Sequence, residues 1–185
     1  MCGKLFDDLN AIDSKTKFIL AEEFVENKDL CSVKIFLMQI KKLCYKQILE
    51  KYLLEKHKPK KKRKLIKFVC DGCSTFKTAF NILFRRVAKL VSGVPIACRK
   101  YGLEHNNNHI ERYNREIKRR IIVMGSFQTF EGARTFCSLR RIIYNFVNPH
   151  SELDGKTPAE AAEILLPINK NRLLGLIRIA VNNHR

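Results

Sequence analysis

The sequence predicts a mixed α/β fold, and three observations carry that expectation. Residues 5–25 form two strand-like arms about a polar turn at Asp13-Ser14-Lys15-Thr16. Leu65-Ile66-Lys67-Phe68-Val69-Cys70 is a short apolar run that stops at Asp71-Gly72, the pattern of a buried strand ending in a turn. Elsewhere, apolar residues recur at three- and four-residue spacing, the mark of amphipathic helices. A length of 185 residues suits one domain with a real core.

Leu5 to Ile12 is imperfectly patterned but strand-like, and Phe18 to Val25 returns as the second arm of a hairpin. Asp13 belongs to the turn between them. Val33, Phe36, Leu37, Ile40, Leu43 and Cys44 mark a helix starting near Asp29. Ile48, Leu49, Tyr52 and Leu53 continue the period after an expected kink. The next stretch, Lys56 to Lys64, is a basic run broken by Pro59. Three readings fit it: a solvated loop, a nuclear-import tag, or a loop whose Lys60, Lys61, Lys62 and Arg63 contact phosphates beside a DNA cleft. The preferred combination is a loop in structure and a phosphate contact in role.

Past the strand at 65–70, Phe76, Ala79, Phe80, Leu83, Phe84, Val87 and Leu90 predict a helix over 75–91, capped by Ser74 or Thr75. Val94 to Cys98 reads as a short strand with Pro95 near its start, and residues 100–108 as a polar loop. Ile110, Tyr113, Ile117, Ile121 and Met124 then give the apolar stripe of a helix whose first turn the Asn106-Asn107-Asn108 run can cap. Glu111 sits about 100° from that stripe. Arg115 and Lys118, four and seven residues on, share its face.

A long helix follows from Phe130 to Phe146, with Ala133, Phe136, Cys137, Leu139, Ile142 and Ile143 on a broad apolar stripe and Pro149 beyond its end. Gly155-Lys156-Thr157 is no phosphate-binding loop, because the Gly required five residues earlier is His150. Thr157 as cap, Pro158 at the first helical position and Glu160 three residues after the cap read instead as a capping box. Leu173, Leu174, Ile177 and Val181 suggest an amphipathic helix in a tail over 167–185.

Composition narrows the function. With 36 basic and 18 acidic residues the net charge is +18, which argues for a polyanionic partner, nucleic acid first. Seven scattered cysteines, an odd number, argue for a reducing compartment rather than a disulfide scaffold. Cys70 and Cys73, with His105 and His109, have zinc-ligand letters, but the spacer is far too long for a zinc finger. Met1 to Asp8 carries charges and lacks the apolar core of a signal peptide. No apolar run approaches membrane-spanning length.

Two carboxylates, Asp71 at a strand end and Glu111 on a later helix, are the oxygen ligands that Mg²⁺ prefers. These stretches, in order, resemble the DDE transposases of prokaryotic insertion sequences, the integrase-core group. The matching pieces are Ala11-Ile12-Asp13 with Thr16 to Ala21, Phe68 to Gly72, Asn107 to Arg112 with Ile117 to Arg120, Tyr144 to Val147, and Pro149 to Ala161. The resemblance covers residues 3–165 and assigns a catalytic domain to 1–166.

The resemblance implies a ribonuclease H-like mixed sheet flanked by helices. It implies Asp71 and Glu111 as catalytic Mg²⁺ (or Mn²⁺) ligands, and Lys118, with Arg115 and Arg119, as DNA contacts. The implied chemistry is phosphoryl transfer: water cuts the element's end, and the freed 3′-hydroxyl attacks target DNA. The implied partners are element ends and target DNA, in a homo-oligomeric assembly, and the implied location is a prokaryotic cytoplasm at the nucleoid. The family pattern puts Asp13's equivalent in this hairpin, so Asp13 is assigned to the turn. The family's Gly-Lys turn corresponds to Gly3-Lys4, which puts the first strand and first catalytic Asp before Met1. The expectation is therefore an N-terminally truncated transposase core. A second class stays open beside it: a non-catalytic DNA-binding remnant, or a partner of an intact transposase.

Overall fold

The computed structural model describes residues 7–92, 108–125, 127–164, 166–167 and 171–182. The chain divides into two compact units, one of Met1–Ala11 and Leu20–Arg112, the other of Ile12–Ile19 and Tyr113–Arg185. The expected tail over 167–185 falls within the second unit.

The first unit begins with strands β1 (Asp7–Ile12) and β2 (Ile19–Val25), paired as a two-stranded sheet. Helix α1 (Leu30–Glu55) follows, and Asp29 caps it by accepting the Ser32 amide at 2.7 Å. The helix runs unbroken where a kink was expected, since no Pro or Gly falls between Cys44 and Ile48 to break its hydrogen-bond ladder. Next come β3 (Lys67–Cys70), α2 (Ser74–Phe84) and β4 (Lys89–Ser92). Strands β3 and β4 are parallel, with Lys67 opposite Lys89 and Cys70 opposite Ser92, so the three elements make a compact βαβ unit.

The core of this unit collects Leu9, Ala21 and Val25 from the hairpin, Val33, Phe36, Ile40 and Ile48 from α1, and Ala79, Phe80 and Phe84 from α2. Phe68 of β3 lies 5.2 Å from the Phe80 ring and 5.1 Å from Phe84, and Phe36 meets Phe76 edge-on at 6.1 Å. The strand over 65–70 is half-buried rather than fully buried, with Lys67 exposed.

One expectation is corrected. The helix over 75–91 stops at Phe84, and Lys89–Ser92 is a strand. Val87 and Leu90 do pack against the core, as their spacing suggested, but the Lys89 amide donates to the Ile66 carbonyl at 2.9 Å and the segment pairs with β3. Helical spacing records which residues are buried, and here a long-range backbone partner decided the conformation. The helix cap is Cys73 rather than Ser74 or Thr75. Among the described residues the strands form two pairs, β1-β2 and β3-β4, and the architecture is mixed α/β with small sheets and helices. The strand expected at Val94 to Cys98 and the Asn106-Asn107 cap lie outside the described residues.

The second unit is helical. Helix α3 (Asn108–Met124) starts within the first unit and belongs to the second from Tyr113 on; it buries Tyr113 and Ile117, and Tyr113 meets Tyr144 of α4 (Phe130–Phe146) at 5.0 Å, edge to face. Glu116 and Arg140 join the same two helices by an ion pair at 2.5 Å. Thr129 caps α4 by accepting the Gly132 amide at 3.0 Å, while Ala133 and Cys137 are buried. The capping box is present: the Glu160 amide donates to Thr157 Oγ1 at 3.2 Å, the Thr157 amide donates to Glu160 Oε2 at 2.8 Å, and Pro158 starts the single turn α5 (Pro158–Ala161). Arg172, first residue of α6 (Arg172–Asn182), donates to both Glu160 oxygens. The large apolar side chains of α6 named above all lie exposed.

Asp13 closes the hairpin turn, its Oδ2 accepting from the Lys15 and Thr16 amides and the Thr16 hydroxyl, as a turn residue should. Lys17 adopts φ 59°, and its buried ammonium donates to the Ser14 carbonyl at 2.8 Å and pairs with Glu152 at 3.2 Å. Phe18 packs edge-on against Phe146 at 5.9 Å.

One buried polar side chain ties α4 to this turn. Asn145 is 3% exposed, and its amide both accepts the Ile19 N–H at 2.9 Å and donates to the Ile19 carbonyl at 3.1 Å. A buried backbone group without a partner costs about 1–3 kcal/mol. Asn145→Ala is therefore expected to destabilise the protein by about 2–6 kcal/mol, read as a lower urea midpoint at an unchanged m-value.

Candidate nucleic-acid interface

A polyanion site needs cations held where the backbone can reach them, and two elements supply them. The first is the turn after α1. Lys60–Lys62 forms one turn of 3-10 helix, and all three lysines are exposed. Glu55, only 5% exposed, holds this turn from beneath. Its carboxylate accepts the Lys58 ammonium at 2.8 Å and the Lys64 amide at 2.9 Å. The Lys58 hydrogen bond, then the Lys64 amide, keep the Glu55 carboxyl below its ordinary value of 4.5.

Arg63 is partly exposed. Its Nε donates to the Lys58 carbonyl and its Nη2 to the Lys56 carbonyl, both at 2.8 Å. The guanidinium thus ties the C-cap of α1 to the turn that follows it.

The second element is α3. At about 100° per residue, Lys118, Glu111 and Arg115 lie within roughly 60° of one another, with Arg119 about 40° farther round. Arg115, Lys118 and Arg119 are exposed, and Glu111 is half-buried in the first turn, where the helix dipole favours a carboxylate. The opposite face of α3 carries Tyr113 and Ile117 into the interior. Met124 does not join that stripe as expected: it is exposed in the last turn.

Asp71 stands exposed just past the carboxyl end of β3, before α2. Ligands of α/β folds commonly sit at the carboxyl ends of parallel strands. Gly72 takes φ 87°, a conformation that favours glycine, and this lets the chain turn from strand to helix around Asp71. Asp71 and Glu111 fall in the same compact unit. Their oxygen chemistry suits Mg²⁺, which commonly takes one or two carboxylates together with phosphate oxygens. Among the described residues no group of three or more His, Cys, Asp or Glu converges as a metal cage.

Cys70 and Cys73 differ in environment. Burial pushes the Cys70 thiol up, while backbone hydrogen bonds from Thr75 and Phe76 at the start of α2 pull Cys73 down. The five cysteines among the described residues are free thiols. His105 of the zinc-like pattern lies outside the described residues.

Residues 92–158 match a family model described as an integrase core domain. No curated protein matches the chain. The matched segment contains Glu111, Arg115, Lys118 and Arg119, whereas Asp71 and Lys60–Lys62 precede it. The match supports a catalytic core of the integrase and transposase type, a class that works on DNA, and agrees with the mixed α/β architecture. Among the described residues no helix is long and apolar enough to cross a membrane.

Sequence reasoning missed Glu55. The available signal was its i,i+3 spacing to Lys58 at the edge of the basic run. Because the folded carboxyl titrates below 4.5, its contacts stabilise the turn above that pH and are lost as pH falls through the lowered value. Glu55→Gln is expected to accelerate hydrogen exchange of the Lys64 amide at neutral pH. Wild-type exchange, corrected for intrinsic rates, should approach the variant's only in acid.

Proposed function

We propose that this chain is a DNA-strand-transfer core of the transposase type, with α3 as its principal DNA contact. The observation that carries the reading is the exposed row of Arg115, Lys118 and Arg119 on the same helix as Glu111, within the integrase-core match. Among the described residues these three cations form no ion pair, so their charge is available to phosphate. Lys60, Lys61 and Lys62 add a second contact held in shape by Glu55.

In this reading Arg115, Lys118 and Arg119 hold the DNA backbone and fix its register, a role that carries no sequence information. Asp71 and Glu111 would hold Mg²⁺ or Mn²⁺, which when bound neutralises charge developing on the phosphate oxygens. Duplicate copies would each bring one DNA end, as a homo-oligomeric assembly requires, and the resemblance places them at a prokaryotic nucleoid.

One observation favours a second reading, a DNA-binding protein without catalysis. Among the described residues no group of three or more His, Cys, Asp or Glu converges, and the resemblance supplies two carboxylates, Asp71 and Glu111. Titration with Mn²⁺ separates the two. Asp71→Asn and Glu111→Gln are each expected to weaken Mn²⁺ binding measured calorimetrically. Unchanged affinity in both variants leaves only the non-catalytic reading.

Both readings expect DNA affinity that falls steeply with salt and little with sequence. Each phosphate contact contributes about 0.9 to the log–log salt slope. Arg115→Ala with Lys118→Ala should therefore reduce that slope by about 1.8. A flat salt response in the wild-type chain, or strong preference for one duplex sequence, is the result that excludes phosphate-dominated binding.

A further inference from the structure

The cation face of α3 does not end in a polar residue. One turn beyond Lys118, and on the same face, stands Ile122, followed by Val123 on the side of Arg119. Ile122 is 78% exposed and Val123 86%. Single exposed apolar residues are ordinary, but these two are adjacent, rigid at χ1 because they are β-branched, and continuous with a row of arginine and lysine. Gly125 ends the helix at φ +82°, and a Cβ placed there would meet nothing within 4 Å.

We propose that Ile122 and Val123 form an apolar wedge that inserts at a base step of the duplex whose backbone Arg115, Lys118 and Arg119 hold. The proposal rests on the DNA reading above and adds a consequence to it: the bound duplex is locally unstacked and bent. Charge complementarity selects the occupant. With +18 on the chain and Arg115, Lys118 and Arg119 exposed beside the tip, a duplex brings the anions that neutralise this charge. Apolar side chains flanked by arginine and lysine are the device by which proteins kink DNA, partly unstacking one step in return for a larger contact. Pyrimidine–purine steps, the easiest to unstack, are the expected positions.

The test uses the whole chain and a short duplex carrying 2-aminopurine at its thymine–adenine steps, whose fluorescence rises when the base unstacks. Wild-type protein is expected to raise the fluorescence. Ile122→Ala with Val123→Ala, changes that favour helix formation at exposed positions, should abolish the rise and leave the salt slope of binding unchanged. Arg115→Ala with Lys118→Ala should instead lower the slope. An equal rise with the alanine pair, or no rise in wild type despite salt-sensitive binding, overturns the wedge and leaves the DNA reading standing. Absence of salt-sensitive binding overturns both. If the alanine pair converts a sedimenting dimer to monomer without altering fluorescence, the tip is an interface between copies and the wedge is wrong.

Discussion

Helix α3 must satisfy two solvents at once, and the second unit depends on how it does so. One face carries Tyr113 and Ile117 into the interior against α4, and the other holds Glu111, Arg115 and Lys118 where a polyanion can reach them. A period of 3.6 residues keeps the two sets apart. The Tyr113–Tyr144 contact and the Glu116–Arg140 ion pair set the rotation of the helix about its axis. That rotation decides which cations reach solvent, so packing on one side and recognition on the other are consequences of one register.

Two carboxylates are placed where they meet both backbone and cations. Glu55 lies beneath the lysine turn and Glu160 beneath the start of α6, each accepting both a backbone amide and a cation. Both carboxyls are held below their ordinary range, Glu55 chiefly by the Lys58 hydrogen bond and Glu160 chiefly by the Thr157 amide. Lys17 is held by Ser14 and Glu152. These are structural uses of charge.

The integrase-core match and the cation row converge on DNA from different directions. One rests on the order of residues over 92–158, the other on which side chains α3 leaves exposed. Asp71 stands outside the matched segment and is joined to the reading only by its place at the end of a parallel strand.

By itself the sequence determined whatever depends on neighbours along the chain. The Asp13 turn, the Asp29 cap, the Thr157–Glu160 capping box and the 3.6-residue period of α3 are written within a few residues, because each is closed by hydrogen bonds or packing between near positions. Tertiary structure decided what depends on distant partners. Val87 and Leu90 have helical spacing, yet the Lys89 amide meets Ile66 and a strand results. Asn145 looks like an ordinary polar residue near a helix end until Ile19, 126 positions away, supplies both of its partners. Arg63 belongs by letter to the basic run, and its guanidinium donates to the Lys56 and Lys58 carbonyls just past α1. The same logic separates the two strand pairs, since pairing between strands is fixed by long-range contacts that no local pattern encodes.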